Sequence, residues 1–215
     1  KEIIESILAG KHTLGILPTG SGKSLCYQLP TYLIEKPTLV ISPLISLMDD
    51  QVMQMKLNGE SHVSYIHSGM DEIEKRNHIN QISQSRFIYL SPEFLLQPQN
   101  FKLISHLDFG LIVLDEAHCL SEWGYDFRPH YALIGQITSH FKNARILALT
   151  ATAPPHLEED LSHILSIDLN VIKTSMNRDN ISLQHKNFND DEEKIKWLIP
   201  FLSYSGPVSY THLTL

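Results

Sequence analysis

TLGILPTGSGKS, residues Thr13 to Ser24, is the stretch whose reading decides the fold. Thr13–Leu17 is an apolar run of strand length. Pro18, Gly20 and Gly22 then break it, and an apolar helix is expected from about Lys23. A strand, a glycine-rich turn and a helix in that order form a phosphate cradle. Gly20 and Gly22 let backbone N–H groups curl round an anion, and the following helix points its positive end at it. Lys23 supplies charge for β- and γ-phosphates, and Ser24 a hydroxyl for Mg²⁺. Thr19 and Ser21 complete the loop. Leu17 stands where the G-x-x-x-x-G-K-[ST] pattern has its first glycine, and the chemistry survives that change.

Outward from this loop, helical and strand signals alternate. Ile3, Ile4, Ile7 and Leu8 repeat at helical spacing before Gly10. Strands are expected at Thr38–Ser42, Val63–His67, Phe87–Leu90, Leu111–Asp115, Ile146–Thr150 and Val171–Thr174. Helices are expected over Leu44–Leu57, Asp71–Ser83, Tyr131–Phe141 and Pro155–Leu165. Apolar strands alternating with helices predict an α/β fold, a mostly parallel sheet with helices on both faces. Asn177–Asn180 is polar and reads as a linker. A strand over Ile181–Phe188 and a helix over Asp191–Tyr204 are expected beyond it.

A second half-site is expected at the tip of another strand. Leu111–Leu114 deliver Asp115, suited to Mg²⁺, and Glu116, suited to orient and activate an attacking water; His118 follows two residues on. After that the chain places Trp123, Tyr125, Phe127 and Arg128 within six positions. Every nucleobase has a π-face, so Trp123 or Phe127 can stack on one without reading sequence, and Arg128 can add phosphate attraction. Tyr131, opening a helix, reads as a packing residue. Thr150 and Thr152 are hydroxyls at the end of a buried strand, suited to bond the acidic pair and relay its state. β-branched filling of the strand competes with that reading.

The chain has 215 residues, 42% hydrophobic and 19% charged, with a net charge of −7. That balance argues against coating nucleic acid by bulk electrostatics, though not against a local basic and aromatic groove. No apolar run approaches a membrane span, and the first residues lack a signal-peptide layout. Two distant cysteines, Cys26 and Cys119, read as buried small residues in a reducing, intracellular protein without a disulfide framework or zinc site. The twelve histidines show no metal-ligand spacing.

Thr19–Pro30 resembles motif I of the superfamily-two helicases, and within them the RecQ family of DNA helicases. Ser42–Met48 with Asp50–Val52 resembles motif Ia, Ser91–Glu93 motif Ib, Asp115–His118 motif II and Ala148–Ala153 motif III. Met176–Asn180 is similar to the link into the second motor domain, with Asp179 where proline is common. The resemblance implies a RecA-like P-loop domain over residues 1–176, a linker at 177–180, and a truncated start of a second RecA-like domain at 181–215. Residues 208–215 fit no expected element and read as a non-native end.

By the same resemblance, ATP and Mg²⁺ are the cofactors and single-stranded and forked DNA the partners, with 3'–5' unwinding coupled to hydrolysis. His118–Tyr131 resembles the family's aromatic-rich loop, which couples DNA sensing by Trp123, Phe127 and Arg128 to hydrolysis. The location implied is cytoplasmic, at the bacterial nucleoid, or otherwise intracellular. An adenine-reading glutamine is expected before Lys1 and an arginine finger after Leu215, so the isolated chain is expected to be nearly inactive. Two other readings stay open. One is a helicase of an RNA-acting branch, against which the Trp123–Arg128 loop speaks. The other is a module that binds nucleotide or DNA without turnover.

Overall fold

The computed structural model describes residues 1–120, 134–175, 186–188 and 190–204, the side chains of the last four residues excepted. The chain divides into two units, Lys1–Met176 and Asn177–Leu215, and each is described by itself.

Unit one is built on a seven-stranded sheet, β1 (Thr13–Ile16), β2 (Thr38–Ile41), β3 (Val63–Ile66), β4 (Phe87–Leu90), β5 (Leu111–Leu114), β6 (Arg145–Thr150) and β7 (Asn170–Lys173). Every pairing is parallel, in the order β3-β4-β2-β5-β6-β1-β7. Successive strand side chains point to opposite faces, and each face has its own core. Leu14, Ile16, Leu39, Ile41, Ile112 and Leu114 belong to one; Val40, Phe87, Tyr89, Leu111, Val113 and Leu147 belong to the other. Each such buried Leu or Ile contributes about 1.5–3 kcal/mol.

Helices α1 (Glu2–Leu8), α2 (Leu25–Ile34) and α3 (Ile45–Leu57) cover the second face through Ile3, Ile7, Tyr27, Met48, Val52 and Met55. The approach of α1 is close. A Cβ at Gly15 of β1 would lie 2.7 Å from the Ile3 terminal methyl, so any larger residue there would displace the Ile3 side chain. The first face is covered by α4 (Glu72–Gln81) with its 3₁₀ extension Ile82–Gln84, α5 (Pro92–Leu95), α6 (Pro98–Ile104), α7 (Ile134–His140) and α8 (Leu157–Leu165). Leu157, Leu161 and Leu165, at helical spacing, are the buried stripe of α8.

The expected elements of unit one are present, with their described ends moved by one or two residues; the expected start of the Tyr131–Phe141 helix lies outside the described residues. The structure adds α5 and α6, where the sequence reading placed nothing. Among the described residues no helix is long and apolar enough to cross a membrane. In unit two, α9 (Asp191–Tyr204) is present, and Lys186 lies over the rings of Phe188 and Trp197. The expected strand Ile181–Phe188 is corrected in part: Lys186–Phe188 carry no strand, and 181–185 lie outside the described residues. The expected linker at 177–180 and the 208–215 tail also lie outside them.

Candidate active site

Parallel pairing sends the C-terminal ends of β5, β6 and β1, three neighbouring strands, to one edge of the sheet. Register fixes what meets there. Ile16 pairs with Thr150, and Leu114 pairs with Ala148, so the loop after β1, the end of β6 and the tip of β5 lie side by side. The Leu17 N–H continues the ladder to the Thr150 carbonyl at 2.9 Å.

In the loop, Gly20 and Gly22 take φ of +79° and +82°, the left-handed region that glycine enters without strain. Ser21 Oγ donates to the Pro18 carbonyl at 2.6 Å, which tightens the turn. Helix α2 starts at Leu25, two residues after the expected Lys23. The Leu25 and Cys26 N–H groups bond the Gly22 and Lys23 carbonyls at 3.1 and 3.0 Å. Those are bonds three residues back, so the first turn is tight, as helix ends often are.

Lys23 does not project freely. Its Nζ lies 3.6 Å from Glu116 Oε1, with both side chains largely shielded. Asp115 is only 6% exposed, and its N–H continues the β5 pairing to the Ile41 carbonyl. Ser42 Oγ donates to its Oδ2 at a long 3.4 Å. Burial first, then the neighbouring Glu116 carboxylate, push the Asp115 pKa up from 3.8 to about 6, against the pull of Lys23. Glu116 has φ of +50°, an uncommon conformation for an L-residue that costs on the order of 1 kcal/mol or more.

His118 joins this edge to the end of β6. Its Nδ1 lies 2.9 Å from Thr150 Oγ1 and 3.3 Å from Glu116 Oε2. Thr150 Oγ1 donates its single proton to the Thr152 carbonyl at 2.9 Å and accepts from the Thr152 N–H at 3.0 Å. The Thr150 oxygen can therefore only accept from His118, which places a proton on Nδ1. His118 Nε2 faces Cys119 Sγ at 3.7 Å. Cys119 is half-buried and in contact with His118, which corrects its reading as a buried small residue; Cys26 is buried.

Sequence reasoning singled out Thr19, Gly20, Ser21, Gly22, Lys23, Ser24, Asp115, Glu116, His118, Thr150 and Thr152. The structure brings Lys23, Asp115, Glu116, His118, Thr150 and Thr152 into one chain of contacts beside the loop. Trp123, Phe127 and Arg128, like Tyr125 and Tyr131, lie outside the described residues. Ser42 was missed as a partner of Asp115. The signal for it was the β2–β5 pairing, since Ile41 pairs with Leu114 and the next residues then face each other.

Two carboxylates share this site with one ammonium, and Asp115 accepts from the Glu116 N–H and, at a long 3.4 Å, from Ser42 Oγ. That arrangement suits a divalent cation delivered with a polyphosphate. Among the described residues no group of three or more His, Cys, Asp or Glu could hold a metal alone. Mg²⁺ matches this donor set, because it keeps several waters and binds through one or two carboxylates plus phosphate oxygens. Next to the loop an open cleft of about 450 Å³ is lined by Ile3, Leu17, Pro18, Cys26, Ile172 and Thr174.

Known proteins resemble this chain in sequence and in fold. Residues 1–160 match the family described as DEAD/DEAH box helicase. The chain is 43% identical over 209 residues to "Probable ATP-dependent DNA helicase RecS" of Bacillus subtilis (strain 168), covering 96% of this chain and 42% of that protein. It is 44% identical over 169 residues to "ATP-dependent DNA helicase RecQ" of Pasteurella multocida (strain Pm70), covering 78% of this chain and 27% of the relative. The chain thus spans less than half of either relative. Among solved structures, a hypothetical ATP-dependent RNA helicase from Sulfolobus tokodaii superposes with a TM-score of 0.64 at 22% identity, over 80% of this chain and 51% of the other. That likeness concerns the fold, a RecA-like α/β domain. With the Asp115–Glu116–Ala117–His118 tip beside a Gly-Lys-Ser loop, the chain belongs to the DEAD/DEAH box helicases.

Proposed function

We propose that this chain is the nucleotide-binding motor domain of an intracellular RecQ-type DNA helicase. It binds Mg²⁺-ATP at the loop and β5 tip, and it couples hydrolysis to movement on single-stranded or forked DNA in the 3'–5' direction. The single observation that carries the reading is Lys23 paired with Glu116 beside a buried Asp115 whose pKa is raised. The loop amides and Lys23 would cradle the β- and γ-phosphates, and the purine would rest in the cleft by Ile3 and Leu17. Ser24 and Asp115 would hold Mg²⁺, which would supply charge neutralisation at the phosphates.

In this reading Lys23 exchanges Glu116 for phosphate when nucleotide enters. Glu116 is then free to take a proton from the attacking water. His118 fixes the second Glu116 oxygen and ties it to Thr150 and Thr152, so the β6 end reports the position of that carboxylate. Trp123, Phe127 and Arg128 are proposed to stack on and pair with the DNA strand. The names of the RecS and RecQ relatives and the aromatic composition of that segment favour DNA over RNA.

The test combines two variants, in this chain for binding and in the whole protein for turnover. Lys23→Ala should weaken Mg²⁺-ATP binding by at least about 10²-fold without lowering the melting temperature. Trp123→Ala should keep basal phosphate release but lose most stimulation by single-stranded DNA. Equal ATP affinity of Lys23→Ala and wild type by calorimetry would sink the nucleotide reading. Stimulation by RNA but not DNA would overturn the substrate.

A further inference from the structure

A second polar cluster lies under the phosphate loop, inside the core and outside the chemistry just described. Tyr27, in the first turn of α2, is 1% exposed, and Tyr89 of β4 is fully buried. Their hydroxyl oxygens are 3.1 Å apart. The Tyr27 hydroxyl donates to Gln51 Oε1 on α3. The Tyr89 hydroxyl lies 3.2 Å from Met55 Sδ, also on α3, and the Gln28 amide of α2 reaches it as well. The Tyr27 N–H bonds the Ser24 carbonyl at 3.3 Å, which ties its backbone to the loop, and the Asp115 charge acts on both phenols.

This cluster costs free energy to bury, and packing alone does not need it. Phenylalanine at either position would fill the same volume without hydroxyls to satisfy. What the hydroxyls add is a choice. The Tyr27 proton is committed to Gln51, but the Tyr89 proton has two acceptors at nearly equal distance, Met55 Sδ and the Tyr27 oxygen. Thioether sulfur is a weak acceptor and phenol oxygen a better one, so the Tyr27 oxygen is the stronger partner and Met55 Sδ the alternative. Each draws α3 differently, one holding Met55 and the other leaving it. Loading the site changes the charge around Ser24 and Asp115, both of which act on this pair.

We propose that Tyr27 is a positioning residue, which with Tyr89 and Gln51 carries the loading of the phosphate site to helix α3. The proposal rests on the nucleotide reading above. A two-state element biased from one side is the physical requirement for coupling, and the shared Tyr89 proton provides it.

The experiment is amide hydrogen exchange on this chain, with and without Mg²⁺ and adenylyl imidodiphosphate, in wild type, Tyr27→Phe, Tyr89→Phe and Gln51→Leu. Wild type should show slowed exchange in the loop Thr19–Ser24 and, by at least about fivefold, in α3. Tyr27→Phe and Tyr89→Phe should keep the loop protection and the nucleotide affinity within about twofold, while the α3 protection disappears. Gln51→Leu, at a partly exposed position that leaves both rings in place, should do the same. A merely structural role would leave the α3 response intact in the folded variants, and that result overturns the proposal. So does wild type with loop protection and no α3 response. Absence of loop protection in wild type would instead remove the nucleotide reading, and this proposal with it.

Discussion

Glu60 and Asp115 are two carboxylates with similarly little exposed surface, 8% and 6%, and opposite fates. Glu60 sits before β3, at the end of the sheet away from the site. Burial alone would raise its pKa, but the Tyr32 hydroxyl at 2.7 Å, the His62 N–H at 2.8 Å and Arg86 at 3.0 Å outweigh it. The pKa is held below the ordinary 4.5. Asp115, at the candidate site, has a long bond from Ser42, the Glu116 N–H and a like charge beside it, and its pKa rises to about 6. Both expose little surface, but Asp115 lies far deeper in the protein and faces a second carboxylate, where Glu60 has the Arg86 cation. A carboxylate given its full set of partners is structure, and one left short of them is available to a ligand.

The largest effect expected from this contrast is at Glu60. Glu60→Ala leaves Arg86 and the Tyr32 hydroxyl without their acceptor and should cost about 2–3 kcal/mol in urea denaturation. That is the lower part of the range for a broken buried pair, because the Arg86 side chain is 44% exposed. Nucleotide affinity should not change. A loss under about 1 kcal/mol would mean that water replaces Glu60 easily and that the two carboxylates differ less than their hydrogen bonds indicate.

Asp115→Asn should move stability the other way. The folded pKa of Asp115 is above its unfolded value, so between 3.8 and about 6 the folded state holds the extra proton and stability falls as pH rises. Above pH 6 the full cost is present, at most about 3 kcal/mol, and asparagine removes it. In metal-free buffer at pH 7.5 the variant should be about 2 kcal/mol more stable than wild type, the gain vanishing near pH 4. Its Mg²⁺-ATP affinity should fall. A gain that does not depend on pH would trace to packing and not to the buried charge.

Much of this arrangement was legible in the sequence. The strands were, because four-residue apolar runs such as Leu111–Leu114 are too short for helices and sit between breakers. The loop was, because Gly20, Gly22, Lys23 and Ser24 carry their chemistry in a fixed local order. Helices α5 and α6 were not. Each is too short to show a periodic pattern, and Pro92 and Pro98 open them at a position where the missing N–H costs nothing, with Ser91 capping α5 through the Phe94 N–H at 3.3 Å. The contact of His118 with Thr150 depends on β5 and β6 being neighbours, which no local pattern states. Nor does any local pattern separate Glu60 from Asp115. Their difference is one of depth and of donors from α2, the residue after β2, the residue before β4 and the chain before β3, assembled only by the fold.

The smallest effect concerns the backbone at Glu116, where the catalytic edge differs from ordinary chain reversals or does not. Glu116 and Ser166 both have left-handed φ, +50° and +54°, but Ser166 closes α8 and Glu116 follows the acidic tip. Ser166→Gly should gain about 0.5–1 kcal/mol, the relief of the Cβ minus the extra freedom of glycine when unfolded. At Glu116 the side chain also pairs with Lys23, so Glu116→Gln is the reference: it removes the charge and keeps the Cβ. Glu116→Gly should be more stable than Glu116→Gln by the same 0.5–1 kcal/mol or so, with phosphate release lost in both. A clearly larger difference at Glu116 would show strain beyond that of a helix end, held there by Asp115 on one side and His118 on the other. No difference would show that Lys23 and His118 fix the carboxylate without help from the backbone.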